Sequence, residues 1–154
     1  MVLDGYDVAI LTALQGDGAM TNATLGGQVG LSASQSSRRR AALEAAGLIL
    51  GYGARVDAGK LGFGFRAMTR VNLRSHSQER DSDFSRFIES CSEVRAAFSV
   101  SGDADYVLDI RVRDLESFAR FIHEQLLPHP QVSQVQSEIV LKTLKEKAGV
   151  DLTR

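Results

Sequence analysis

Three consecutive arginines, Arg38, Arg39 and Arg40, follow Ser32, Ser34, Gln35, Ser36 and Ser37 in the most anion-seeking stretch of this chain. Guanidinium groups pair with phosphate oxygens, hydroxyls reach phosphate or base, and a glutamine amide matches the donor and acceptor of adenine in the major groove. The chemistry on offer is recognition of double-stranded DNA. A charge run of this kind is also what an ordinary solvated helix face carries. Successive helical residues diverge by about 100°, so the three arginines cannot share one face. Arg39 and Arg40 stand four and three residues before Leu43, near the apolar seam marked by Leu43 and Leu48. One of the two is therefore expected to bury its stem and pair inward, with Asp4 or Asp7 as the carboxylate.

A second group lies in the run Gly102-Asp103-Ala104-Asp105. Acids beside a glycine are common turn formers. A loop that presents backbone N–H groups and carboxylates together can also hold a zwitterion, with amide donors for its carboxylate and acid oxygens for its ammonium. Ser133 and Ser137 place small hydroxyls along a later strand, one face of which could border a pocket. Catalysis is not expected, because Asp103 and Asp105 have no His, Lys or metal partner nearby to complete an acid–base or nucleophilic cluster. No catalytic residue, metal site or cofactor is assigned. His76, His123 and His129 are scattered without ligand spacing, and the lone Cys91 reads as a small buried apolar residue.

The elements that must position these groups are legible from caps and periodicity. Ser32 caps a helix of about four turns that ends at Gly47. Thr21 caps a shorter helix with Leu25 and Val29 at i, i+4 spacing, broken at Gly30, and an earlier helix from about Leu3 to Gln15 carries Ile10, Leu11 and Leu14 as a stripe. Together they form a helix-turn-helix head over residues 1–50. Gly26 falls where helices must approach closely, whereas Gly27 has no evident reason. Residues 51–62 are glycine-punctuated and read as a hinge.

From Phe63 the period becomes two. Phe65, Ala67, Thr69, Val71 and Leu73 alternate with polar neighbours, a helix capped by Ser82 runs to Cys91, and strands follow at Val94–Val100 and Tyr106–Val112. A second helix, Leu115 to Leu127, buries Leu115, Phe118, Phe121, Ile122 and Leu126, and a strand from Val132 to about Leu144 closes the order βαββαβ. The fold class is α+β, a winged-type helix-turn-helix head, a hinge strand and a ferredoxin-like domain over residues 63–154. One sheet face has no helix to cover it. Residues such as Ala67, Val100 or Leu108, whichever set points outward, would invite a second subunit.

Composition bounds the reading. The chain has 154 residues, 44% of them apolar, and a net charge of −1, which is low for a nucleic-acid binder. Within residues 1–55, Arg38, Arg39, Arg40 and Arg55 balance Asp4, Asp7, Asp17 and Glu44, so the head is neutral but polarised. Dimerisation would double its contacts. No apolar run is long enough for a membrane span and no signal peptide is evident, so a cytoplasmic, nucleoid-associated protein is expected.

The run LSASQSSRRRAALEAAGLILGY, together with Asp4, Asp7, Ile10, Leu11, Leu14, Leu25, Val29 and Leu31, resembles the head of the leucine-responsive, AsnC-type (Lrp/AsnC, feast/famine) transcription regulators. Ser101-Gly102-Asp103-Ala104-Asp105-Tyr106 resembles the Gly-Asp-x-Asp-Tyr loop of the same family's effector domain, in the expected order about sixty residues on. The resemblance runs from Leu3 to about Lys145. It implies a DNA-binding regulator whose affinity or assembly answers to a small-molecule effector, an amino acid or related metabolite. It also implies a hinge strand paired across a homodimer, and higher homo-oligomers. The family's loop and last strand imply Gly102, Asp103, Asp105 and Ser137 as effector-binding residues, and Ser133, read from the alternation of the strand alone, is expected to join them. Val135 stands where the family often has a hydroxyl, and Arg40 where it often has an aliphatic residue, which implies a different ligand fit and operator. Two other readings are an architectural DNA-binding protein without effector response, and a partner subunit whose head no longer binds DNA.

Overall fold

The computed structural model describes residues 2–74 and 78–152. His76 lies outside the described residues. Two compact units divide the chain, Met1–Arg55 with Lys145–Arg154, and Val56–Leu144. The sequence assigned the last ten residues to the second domain. They group instead with the head, where the Val150 N–H donates to Gln15 Oε1 at 2.6 Å.

The first unit holds three helices, α1 (Gly5–Gly16), α2 (Asn22–Val29) and α3 (Ala33–Ala45). Asp4 caps α1 through a reciprocal pair: its carboxylate accepts from the Asp7 N–H at 2.9 Å, and Asp7 accepts from the Asp4 N–H at 3.2 Å. This satisfies donors that helix ends leave orphaned. Thr21 and Ser32 cap α2 and α3, and the chain leaves these helices through Gly30 (φ 77°) and Gly47 (φ 70°), the left-handed positions that favour glycine. Ile10, Ala13, Leu14, Leu25 and Leu43 form the core. Leu48 does not continue the seam as expected. It is 45% exposed, and Ile49 packs against the core instead. After α3, residues 50–57 form no strand within the chain. A hinge strand needs a partner ladder, and a single chain supplies none here.

The second unit is a four-stranded antiparallel sheet in the order β2-β3-β1-β4: β1 (Phe65–Leu73), β2 (Val94–Ser99), β3 (Tyr106–Val112) and β4 (Val132–Ile139). Helices α4 (Gln78–Ser90) and α5 (Leu115–Phe121) complete the βαββαβ order, and α5 runs directly into a π-helical turn, Ile122–Leu126. Phe84, Phe121, Leu108 and Ile110 are fully buried in this core, each contributing about 1.5–3 kcal/mol by leaving water. Ser82 does not cap α4, because the helix already begins at Gln78. Leu115 is 59% exposed, since it opens α5 directly after the Asp114 cap. The last strand ends at Ile139, short of Leu144; beyond it only the Val140 N–H continues the ladder, to Arg66 O.

Ala67 and Leu108 do not point outward. Both are fully buried in the helix-side core, and Val100 lies beyond the end of β2. The register pairs Met68 with Asp109 and Arg70 with Val107, so alternation puts Arg66, Met68, Arg70, Val107, Asp109 and Arg111 on the opposite face. That face is charged. Arg66 holds Asp109 through two bonds of 2.8 and 2.6 Å, and Arg70 reaches Glu138 at 3.2 Å.

Candidate functional site

Most of the polar side chains nominated on α3 already have work within the head. Ser32 Oγ accepts from the Gln35 N–H at 3.2 Å and Gln35 Oε1 accepts from the Ser32 N–H at 2.9 Å. The Gln35 oxygen nominated to meet adenine is thus engaged in the cap of α3. Ser32 Oγ also lies 3.1 Å from Ser34 Oγ. Ser36 is wholly buried and its Oγ has no hydrogen-bond partner among the described residues, so it does not present its hydroxyl at the surface. Its place is structural. A Cβ added at Gly26 would stand 3.0 Å from Ser36 Oγ and 2.5 Å from Leu31 O, so two small residues allow α2 to meet the turn into α3.

The arginines separate into two inward and one outward. Arg39 Nη1 lies 2.8 Å from Asp7 Oδ1 and 2.9 Å from Asp4 Oδ2, making a three-membered ion cluster between α3 and α1. Hydrogen bonds from the Asp7 N–H and the Arg39 guanidinium hold the Asp4 carboxyl below its usual range, and the two acids raise Arg39. Arg40 is also turned inward. Its Nε donates to Tyr52 Oη at 2.8 Å and Glu44 Oε1 at 3.3 Å, and its Nη1 donates to Met20 O at 3.0 Å. The Tyr52 ring lies 4.3 Å from the Arg40 guanidinium carbon, and its hydroxyl donates to Glu44 at 2.7 Å. Burial and Glu44 push the Tyr52 phenol upward. The sequence did not point to this clamp; the only hint was the i, i+4 spacing of Arg40 and Glu44. Both arginines therefore anchor the head through partners on α1, Met20 and Tyr52. Arg38 is exposed and has no ion-pair partner among the described residues. Ser34 and Ser37 are exposed beside it on α3.

In the second unit the nominated effector residues gather around β1. Asp105 is a structural hub: its N–H donates to Val71 O and to Asn72 Oδ1, both at 3.1 Å, and its Oδ2 accepts from the Leu73 N–H at 2.7 Å. Ser133 Oγ donates to Asn72 O at 2.9 Å, at the register shift between Asn72 and Leu73. Asp105 and Ser133 therefore meet on Asn72, a residue the sequence reading overlooked. Ser137 stands further along β4, its Oγ 3.0 Å from that of the buried Thr69. Gly102 and Asp103 are exposed, with Gly102 at φ 132°, while Ala104 is buried and pins the loop. Among the described residues no hydrogen bond engages the N–H of Gly102 or Asp103. Exposed amides beside a carboxylate are the components of a zwitterion site. Among the described residues no cluster of His, Cys, Asp or Glu could hold a metal ion, and no helix is long and apolar enough to cross a membrane.

Comparison with known proteins adds independent findings. Residues 3–44 match the AsnC-type helix-turn-helix domain, and residues 66–150 match the Lrp/AsnC ligand binding domain. The leucine-responsive regulatory protein of Rhizobium meliloti is 35% identical over 150 residues, covering 97% of this chain and 96% of that protein. The transcriptional regulator AzlB of Bacillus subtilis is 34% identical over 152 residues, covering 99% and 97%. Among solved structures, a transcriptional regulator from Neisseria meningitidis in complex with L-Met superposes with a TM-score of 0.95 at 34% identity, covering 99% of this chain and 98% of the other.

Proposed function

The chain belongs to the Lrp/AsnC family of transcriptional regulators, and from that premise we propose that it reads specific DNA sites under the control of an amino acid or a related metabolite. It is a regulator with a ligand-binding domain, not an enzyme. The DNA-facing set we propose is Ser34, Ser37 and Arg38, with Arg39 and Arg40 bracing the helix that carries them. The effector sits at subunit contacts of the C-terminal unit. The N–H groups of Gly102 and Asp103 and the Asp103 carboxylate receive it, while Asp105, Ser133 and Ser137 shape the surroundings. Homodimers form through the charged sheet face and the hinge, and associate further. The protein acts in the cytoplasm on the nucleoid.

The observation that carries the effector half of this reading is the L-Met complex of the Neisseria meningitidis regulator, which this chain parallels along nearly its full length. The test is fluorescence anisotropy with DNA from upstream of the protein's own gene, at several salt concentrations, with and without single amino acids. Binding that weakens steeply with salt and shifts with one amino acid is the expected result. Binding that ignores every amino acid would instead fit an architectural protein.

A further inference from the structure

The chain leaves the head through residues 50–55, where one side chain is anchored. All of these residues are exposed, and among the described residues no backbone hydrogen bond engages any of them. The anchored side chain is Tyr52. Its hydroxyl donates to Glu44 Oε1 at 2.7 Å and accepts from Arg40 Nε at 2.8 Å, and Arg40 Nε also reaches Glu44 at 3.3 Å, so the three groups close a triangle. The ring centroid lies 4.3 Å from the guanidinium carbon, a cation–π contact. The ring edge fills the space that Gly18 leaves in the turn between α1 and α2, where an added Cβ would stand 3.1 Å from Tyr52 Cδ1.

Arg40 braces α3 without help from Tyr52. Its Nη1 donates to Met20 O at 3.0 Å, and Glu44 lies one turn further along the same helix. What Tyr52 adds is a fixed direction for the chain as it leaves the head, set by a guanidinium that both bonds its hydroxyl and stacks on its ring. The Tyr52 backbone stays available to a partner strand while its side chain holds its own head. We propose that Tyr52 is a positioning residue in DNA recognition: by fixing the angle between α3 and the hinge, it sets the separation of half-sites that two paired heads accept. The proposal rests on the reading above that heads pair through the hinge. Stiff linkage favours one spacing strongly, whereas loose linkage favours many weakly.

The test is fluorescence anisotropy of the full chain on a duplex with two half-sites, chosen by the unaltered protein from a random pool. Inserting about 3 bp between the half-sites turns the second by roughly 100° about the duplex and moves it by roughly 10 Å. The unaltered protein should bind the inserted duplex about tenfold or more weakly, because one head is lost from the linked pair. Tyr52→Ala, and Tyr52→Leu, which still fills the space beside Gly18, should cut that penalty to about threefold or less. Tyr52→Phe keeps the ring on Arg40 and should retain most of it. Affinity for a duplex with one half-site should be the same for every variant, and thermal melts and sedimentation establish that each is folded and assembled as the unaltered protein is. A folded Tyr52→Ala or Tyr52→Leu with the full penalty would overturn the proposal. So would a variant that binds one half-site as weakly as two, since Tyr52 would then only stabilise the head. An unaltered protein indifferent to the insertion would overturn the pairing of heads itself, and the proposal with it.

Discussion

Gly26 and Gly27 are neighbours on α2, yet their replacement by alanine should move stability in opposite directions. Both alanines gain helix propensity, worth about 0.5–1 kcal/mol over glycine. At Gly27 nothing lies within 4 Å of the added Cβ, so Gly27→Ala keeps that gain. At Gly26 the Cβ would stand 2.5 Å from Leu31 O, 3.0 Å from Ser36 Oγ and 3.1 Å from the Ser32 carbonyl carbon. Two of those neighbours are backbone in the turn between α2 and α3, which the Leu31 N–H to Gly26 O bond of 2.9 Å already fixes. Relief must come from moving α3, and overpacking of that kind costs about 1–3 kcal/mol. The net loss for Gly26→Ala is then roughly 1–2 kcal/mol after the propensity gain. A domain of this size shifts by about 4–8 °C per kcal/mol, so calorimetry of the full chain should separate the two variants by on the order of 10 °C in the transition of the head. DNA affinity should fall for Gly26→Ala and hold for Gly27→Ala. A Gly26→Ala head as stable as the original would refute the close approach, and a destabilised Gly27→Ala would refute the open one.

Other perturbations test the remaining assignments. Arg38→Ala should weaken binding to all DNA sequences and reduce the slope of log affinity against log salt by about 0.9, without lowering the melting temperature. Arg39→Ala should do the reverse in part, lowering the melting temperature because Asp4 and Asp7 lose their shared cation. Asp103→Ala should abolish the effector's shift in DNA affinity while leaving the thermal transition in place, and an unchanged response would move the ligand away from this loop. His129 packs 4.6 Å from the Phe87 ring and 5.6 Å from that of Phe84, and burial lowers its pKa despite the opposing pull of Asp83. The unfolded chain therefore takes up a proton more readily there. Its contribution to stability is complete above the ordinary histidine pKa of about 6.5 and is lost as pH falls through that value toward the lower folded one. Melting temperatures measured from pH 8 to pH 5 should fall across this window, and His129→Phe should flatten that part of the profile.

What the sequence made legible was local. Thr21 and Ser32 are caps because a hydroxyl in that position bonds an N–H three residues on, and Gly30 and Gly47 adopt the left-handed backbone that their lack of a Cβ permits. The alternation of β1 needed only its own residues. The assignments that failed depended on distant partners. Ser36 reads as a surface hydroxyl until Gly26 is placed over it. Arg40 reads as a phosphate ligand until Tyr52, beyond the end of α3, folds over its guanidinium. Alternation likewise distinguishes two faces of β1 but not which lies under the helices. That choice appears only when β1–β3 register brings Arg66 to Asp109 and sends Ala67 and Leu108 to the same core. Asn72 escaped notice for the same reason, since its value comes from receiving Asp105 and Ser133 from two different strands.

The charge balance of the head makes assembly the natural point of control. Of the three arginines on α3, only Arg38 lacks an ion-pair partner among the described residues, and residues 1–55 are neutral overall. Each phosphate neutralised adds only about 0.9 to the salt slope, so a single head binds weakly. Linking heads multiplies affinity through effective concentration, by about 10² or more when their spacing matches the DNA. An effector that changes how many heads are presented together acts on that large factor, whereas one that adjusts a single head acts on a small one. Coupling of about 1–3 kcal/mol then suffices for a 5- to 150-fold response. Control through assembly carries a signature: the effector's shift in DNA affinity should be greatest near the protein concentration at which oligomers form and should shrink well above it. Anisotropy titrations repeated across that range, beside sedimentation at the same concentrations, measure this directly. A shift of constant size at every protein concentration would place control within the head itself.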